Sequence, residues 1–153
     1  MNKLANTTNF RQSLGRMGES IAREFLITNG WTILDCNYRA HRLGEIDIIG
    51  RPPQGAVLAF VEVKTRDIKT GAGAFEHTGQ LSVPGAKAGR MIQAALSYVR
   101  LHPTGGAAMR FDLILVDIDL NRRDLNEVIR LNDVEALRMR ARLTHMEAIA
   151  GAF

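Results

Sequence analysis

Residues Ala56 to Lys64 read AVLAFVEVK, apolar without a break until Glu62. The run follows Arg51-Pro52-Pro53-Gln54-Gly55, a stretch that suits only a turn. Such a run is a strand, and its side chains alternate between two faces. Val57, Ala59, Val61 and Val63 share one face; Leu58, Phe60, Glu62 and Lys64 share the other. Both faces are apolar over most of their length, so the strand must lie between two covering layers. An acid and an amine arrive together at its open end. A sheet buried on both sides in a chain that also holds amphipathic helices points to the α/β class.

The flanking segments agree. Leu14, Met17, Ile21, Ala22, Phe25 and Leu26 recur at helical spacing after Ser13, a suitable cap, and Gly30 is a left-handed stop. Residues 31–39 and 45–50 read as strands joined by the turn His41-Arg42-Leu43-Gly44, and with 56–64 they predict an antiparallel meander. Residues 86–101 form a second helix, and 110–118 a fourth strand. Val128–Leu131 suggests a short fifth strand, and Asn132 or Asp133 could cap a final helix through about Ala150. Residues 67–85 show no period; a loop of that length is usually functional or disordered. The first dozen residues read as a loose tail on a single domain spanning 1–153.

The chain has 153 residues, 46% hydrophobic and 24% charged, an ordinary globular composition. No apolar run approaches the roughly 20 residues of a membrane-spanning helix, so no membrane partner is expected. The N-terminus lacks a secretory h-region. The single cysteine, Cys36, fits a half-buried strand position and a reducing cytoplasm. The net charge is +4, and the basic residues are overwhelmingly arginine; the lysines are Lys3, Lys64, Lys69 and Lys87. Arginine favours phosphate and carboxylate forks, which makes a polyanionic partner reasonable.

Asp47 lies on the neighbouring strand, and counting back from the intervening turn brings it near Glu62. Two carboxylates in a partly dry site repel unless neutralised, and a hard divalent cation with oxygen ligands resolves the conflict. Lys64 beside them can face a phosphate. Together they suit phosphodiester hydrolysis. The plainer alternative is an ion pair between Glu62 and Lys64 on a solvated edge. Arg16, Arg39, Arg42 and Arg66 are candidates for a phosphate track, and Lys87, near a helix start, could seat a phosphate. Glu45 shares a strand face with Asp47 and could be a further acid behind the ion, or pair with Arg42 or Lys64. The four histidines show no metal spacing, and Asp112, between Phe111 and Leu113, reads as structural, bonding near Arg110.

Asp47 with Glu62-Val63-Lys64 resembles the core of the PD-(D/E)xK nuclease superfamily and, more narrowly, the YraN-like family of endonuclease-type proteins. The likeness is carried by Gly15-Arg16, Gly18-Glu19, Asn29-Gly30-Trp31, Ile33-Leu34, Asn37-Tyr38-Arg39, Gly44–Ile49, Phe60–Arg66, Arg110-Phe111-Asp112 and Ala152-Phe153. The resemblance implies a restriction-endonuclease-like αβββαβ core, a mixed central sheet with flanking helices. It implies Mg²⁺ or Mn²⁺ held by Asp47, Glu62 and the Val63 carbonyl, with Glu19 as an added acid and Lys64 as the catalytic lysine. The substrate implied is nucleic acid, DNA before RNA, including branched DNA. Lys87 and Arg90 match the family pattern, but Ala88 and Gly89 replace basic neighbours, and the stretch after Thr65 is longer and Gly-rich. Other readings are a non-catalytic nucleic-acid-binding module of the same fold, or a scaffold that docks a protein or a second copy of the chain as a homodimer.

Overall fold

The structure is a computed structural model and describes residues 3–69 and 85–149. The Gly-rich stretch expected to be a long loop falls largely outside these residues. Helix α1 spans Lys3–Thr28, followed by β1 (Thr32–Arg39), β2 (Glu45–Arg51) and β3 (Val57–Asp67). Helix α2 (Gly85–Leu101) precedes β4 (Ala108–Ile118); α3 (Arg122–Leu131), α4 (Val134–Arg138) and β5 (Ala141–Met146) complete the chain. The strands form one mixed sheet in the order β1-β2-β3-β4-β5. The meander is antiparallel, β4 runs parallel to β3, and β5 returns antiparallel to β4.

The two faces of β3 do what their sequence demands. Ala59 and Val61 enter one core with Leu14, Met17, Ile21 and Leu26 of α1, joined by Leu125 and Leu137 from α3 and α4. Leu58 and Phe60 enter the other core with Met91, Ala95 and Tyr98 of α2 and Phe111 of β4. The molecule is thus three layers deep, with β3 near the middle. Fully burying each such side chain stabilises by roughly 1.5–3 kcal/mol relative to exposure.

Three expectations are corrected. The presumed tail from Lys3 onward is helical: no glycine or proline interrupts residues 3–13, so extending α1 costs little once the helix exists. Val128–Leu131 is the end of α3, not a strand. Asn121 caps that helix by accepting from the Asp124 N–H, and Asn132 closes it in a left-handed conformation. Leu125, Val128 and Ile129 recur at helical spacing and pack into the α1-side core. Asp133 does cap a helix, but that helix ends at Arg138. The chain then alternates inward Ala141, Leu143 and His145 with outward Arg142 and Thr144, which is the signature of β5. Among the described residues, no helix is long and apolar enough to cross a membrane.

Candidate functional site

The ladder between β2 and β3 joins Gly50 to Ala59, Ile49 to Phe60 and Ile48 to Val61, and goes no further. At the next position the strands part, and the Asp47 side chain fills the gap: its Oδ2 accepts the Val63 N–H at 2.7 Å. A carboxylate thus replaces a backbone carbonyl. The opposite strand is irregular at the same level. Cys36 pairs with Ile48 and Tyr38 with Ile46, which sets Asn37 opposite Asp47, and Asn37 takes a left-handed φ of 54°. Ile46 packs in the α2-side core and Ile48 in the α1-side core although they are two residues apart. The alternation of faces breaks at Asp47, and Asp47 lines a cleft.

Glu62, only 4% exposed, follows Val61, the last β3 residue of the β2–β3 ladder. Lys87 reaches it from the first turn of α2, and its Nζ pairs with Glu62 Oε1. Burial first, and then repulsion from Glu62, push the Asp47 carboxyl up to about 7, against the Val63 hydrogen bond. Glu19, from α1, is also raised, by burial and by Glu45 and Glu62, while Asn37 and Arg16 oppose the shift. Burial holds Lys64 below the usual lysine range although Glu62 pulls the other way. Asp47, Glu62, Glu19, Lys64 and Lys87 therefore feel one another's charge. Glu45 instead faces Arg39 at 3.8 Å, both well exposed.

Two glycines permit this convergence. A Cβ on Gly18 would lie 1.7 Å from Thr65 Oγ1, so only glycine lets α1 rest on β3 and deliver Glu19. A Cβ on Gly44 would lie 2.7 Å from the Arg90 carbonyl oxygen, and its φ of 144° favours glycine as well. That contact seats the His41–Gly44 turn against α2. Between them runs a groove of about 550 Å³ lined by Arg39, His41, Arg42, Lys87 and Arg90, with the acid Glu45 among them. On the α1 side, a cleft of about 260 Å³ is lined by Arg16, Glu19, Arg23, Asn37 and Asp47. The acids thus lie between two basic rims. Arg66 is engaged elsewhere: it donates from Nε and Nη2 to the two oxygens of Asp117, at 2.6 and 2.7 Å.

The donor set Asp47, Glu62 and Glu19, with the Val63 carbonyl on the same strand, is all hard oxygen and fits Mg²⁺ or Mn²⁺ in kind. Among the described residues, the three donors lying within 4.8 Å of one another belong to a different set: Asp112, His145 and Glu147. This group is a possible metal-binding site that the sequence reading missed, because His145 reaches β4 only through the β5 register. Its charge is already balanced. Arg110 donates to both Asp112 oxygens at 2.9 Å and to Glu147 at 3.1 Å. His145 Nε2 lies 3.0 Å from Asp112, and the Ala148 N–H is donated to it as well. An ion there would have to displace a guanidinium. The Arg110 link matches the structural role expected of Asp112.

The profile of the uncharacterised protein family UPF0102 matches residues 18–116, a span holding Glu19, Asp47, Glu62, Lys64 and Lys87. A UPF0102 protein of Frankia alni is 40% identical over 106 residues, 69% of this chain and 82% of the relative. One from Streptomyces coelicolor is 41% identical over 109 residues, covering 69% and 77%. One from Moorella thermoacetica is 37% identical over 113 residues, covering 74% and 88%. The chain belongs to UPF0102, the YraN-like family that its motifs resemble.

Proposed function

We propose that the chain is a divalent-metal-dependent phosphodiesterase acting on nucleic acid, DNA before RNA, with Asp47, Glu62 and Lys64 at its centre. The supporting observation is the parting of β2 and β3, which sets a buried Glu62 beside an Asp47 whose carboxyl is pushed up to about 7. Retaining two acids there costs stability unless positive charge balances both, and Lys87 pairs with Glu62 while Asp47 stays raised. Asp47, Glu62 and the Val63 carbonyl would hold Mg²⁺ or Mn²⁺, with Glu19 behind them. The ion, when bound, polarises a phosphoryl oxygen and acidifies water.

The protein's own residues do the rest. Lys64, on the Glu62 face of β3, carries positive charge toward the phosphate as its negative charge grows. Arg39, Arg42 and Lys87 on one rim and Arg16 on the other would orient the backbone of the substrate. The Asp47 bond to Val63 N–H fixes the carboxylate before substrate arrives, so little reorganisation remains for the reaction. The single cysteine and the lack of a spanning helix among the described residues fit a cytoplasmic place of action.

The test is a Mn²⁺-dependent cleavage assay on linear, flapped and four-way DNA, beside Lys64→Ala. Cleavage is expected in the native protein and a loss of roughly 10²–10³ in rate in the variant. Full activity in Lys64→Ala would remove this mechanism. One observation favours a second reading, a binding module without cleavage: Lys87 already pairs with Glu62. Calorimetry separates the two, since a module without an ion site gives no Asp47-dependent heat with Mn²⁺.

A further inference from the structure

Glu62 is almost wholly buried, and its described partner is an ammonium from a different layer of the molecule. The Glu62 side chain is 5% exposed and that of Lys87 is 42% exposed. Lys87 also lowers the carboxyl pKa of Asp47, so it acts on both acids at once. The same side chain lines the basic groove with Arg39, Arg42 and Arg90. It therefore stands at the boundary between the acid pocket and the groove, on a long, flexible stem.

Lys64, on the same face of β3, also feels Glu62, and Lys87 pairs with it. Losing Lys87 leaves the buried carboxylate with less positive charge beside it, a cost that an arriving cation offsets. A divalent ion among Asp47 and Glu62 supplies that charge and repels the ammonium. The adjoining groove gives the displaced side chain a place to go, and its three arginines, which outnumber its one lining acid, Glu45, favour an anion there. We propose that Lys87 is the internal counter-ion of the acid pocket, which a divalent cation displaces into the groove, where its ligand becomes a phosphate oxygen. This inference rests on the ion-binding reading above. It adds that ion and nucleic acid are coupled through one lysine, and such coupling is reciprocal.

The chain has four lysines, so the reactivity of each can be followed by mass spectrometry after brief labelling with an amine-acetylating reagent. Lys69, which faces Asp119 at 3.1 Å and is 56% exposed, serves as an internal standard. Mn²⁺ is expected to raise the labelling rate of Lys87 at least about fivefold, the low end of ordinary site–site coupling, and to leave Lys69 unchanged. Asp47→Asn should abolish the response. In calorimetry, Lys87→Met is expected to bind Mn²⁺ at least about fivefold more tightly than the native chain, and Lys87→Arg, which keeps the charge, should not.

Native protein that binds Mn²⁺ with Lys87 labelling unchanged overturns the inference while the ion site stands. Equal Mn²⁺ affinity in native and Lys87→Met protein does the same. No Asp47-dependent Mn²⁺ binding in the native chain overturns both. Should Lys87→Met fail to fold, the labelling experiment on native protein still decides.

Discussion

The Asp47 carboxyl, at the point where β2 and β3 part, titrates at about 7 because burial and then Glu62 penalise its charge. An unfolded aspartate titrates near about 3.9. A group whose folded pKa is raised adds stability below its unfolded pKa and loses that stability as pH climbs through the folded one. Without a cation, the folded chain should therefore weaken between about pH 4 and about pH 8 through this residue. Asp47→Asn keeps an oxygen for the Val63 N–H and discards the charge. Thermal melts in chelator should show the variant more stable at about pH 8, by on the order of 2 kcal/mol, and level with the native chain at about pH 4. Mn²⁺ should raise the midpoint of the native protein alone. A variant that melts lower at about pH 8 contradicts the reading. Asp112 has the opposite sign. Burial would raise it, but bonds from His145, Arg110 and the Ala148 N–H outweigh burial and hold it low. Its contribution is present above the unfolded pKa and fades as pH falls toward the folded one.

Elements were most legible where one residue type leaves one option. The run 56–64 could only be a doubly covered strand, and Gly30, with φ 81°, stops α1 as read. Asn37 shows the limit: asparagine tolerates the left-handed region better than most residues, yet its place inside an apparent strand gave no sign that it would adopt it. Val128–Leu131 misled because a short apolar run has no period of its own; only Leu125, three residues earlier, reveals the helical face. The Gly18–Thr65 contact belongs to this scale. Gly18→Ala should force α1 away from β3 and destabilise by about 1–3 kcal/mol in urea melts. Thr65→Ala in the same chain should recover part of that loss, since the new methyl then meets no hydroxyl. Two additive losses would mean that the helix does not rest on this contact.

For the whole molecule, counting back along the hairpin put Asp47 near Glu62, but the expected strand end at Lys64 is not there. β3 runs on to Asp67, paired with β4 throughout, so the acids stand where the β2–β3 ladder stops and not at the end of the sheet. The Glu62–Lys87 pair was beyond reach: the partners are 25 residues apart and join different layers. The same holds for Arg66, whose fork meets Asp117 only through the parallel β3–β4 register. Arg39, Arg42, Lys87 and Arg90 concentrate positive charge along one groove, which Glu45 shares. Arg42→Glu should therefore weaken duplex binding and lower the salt slope of log K by about one, read by fluorescence anisotropy at several salt concentrations. An unchanged slope would place the duplex off this groove.

The family profile stops at residue 116, within β4, yet the sheet does not end there. From Leu113 to Ile118, β4 is hydrogen-bonded to β5 along its outer side, and His145 anchors that strand to Asp112. Without this last ribbon, one of the most apolar strands in the protein would offer a bare row of amides and carbonyls to any neighbouring chain. The C-terminal segment is in this sense a guard against self-adhesion, held by its ladder to β4 and by an imidazole–carboxylate–guanidinium clasp.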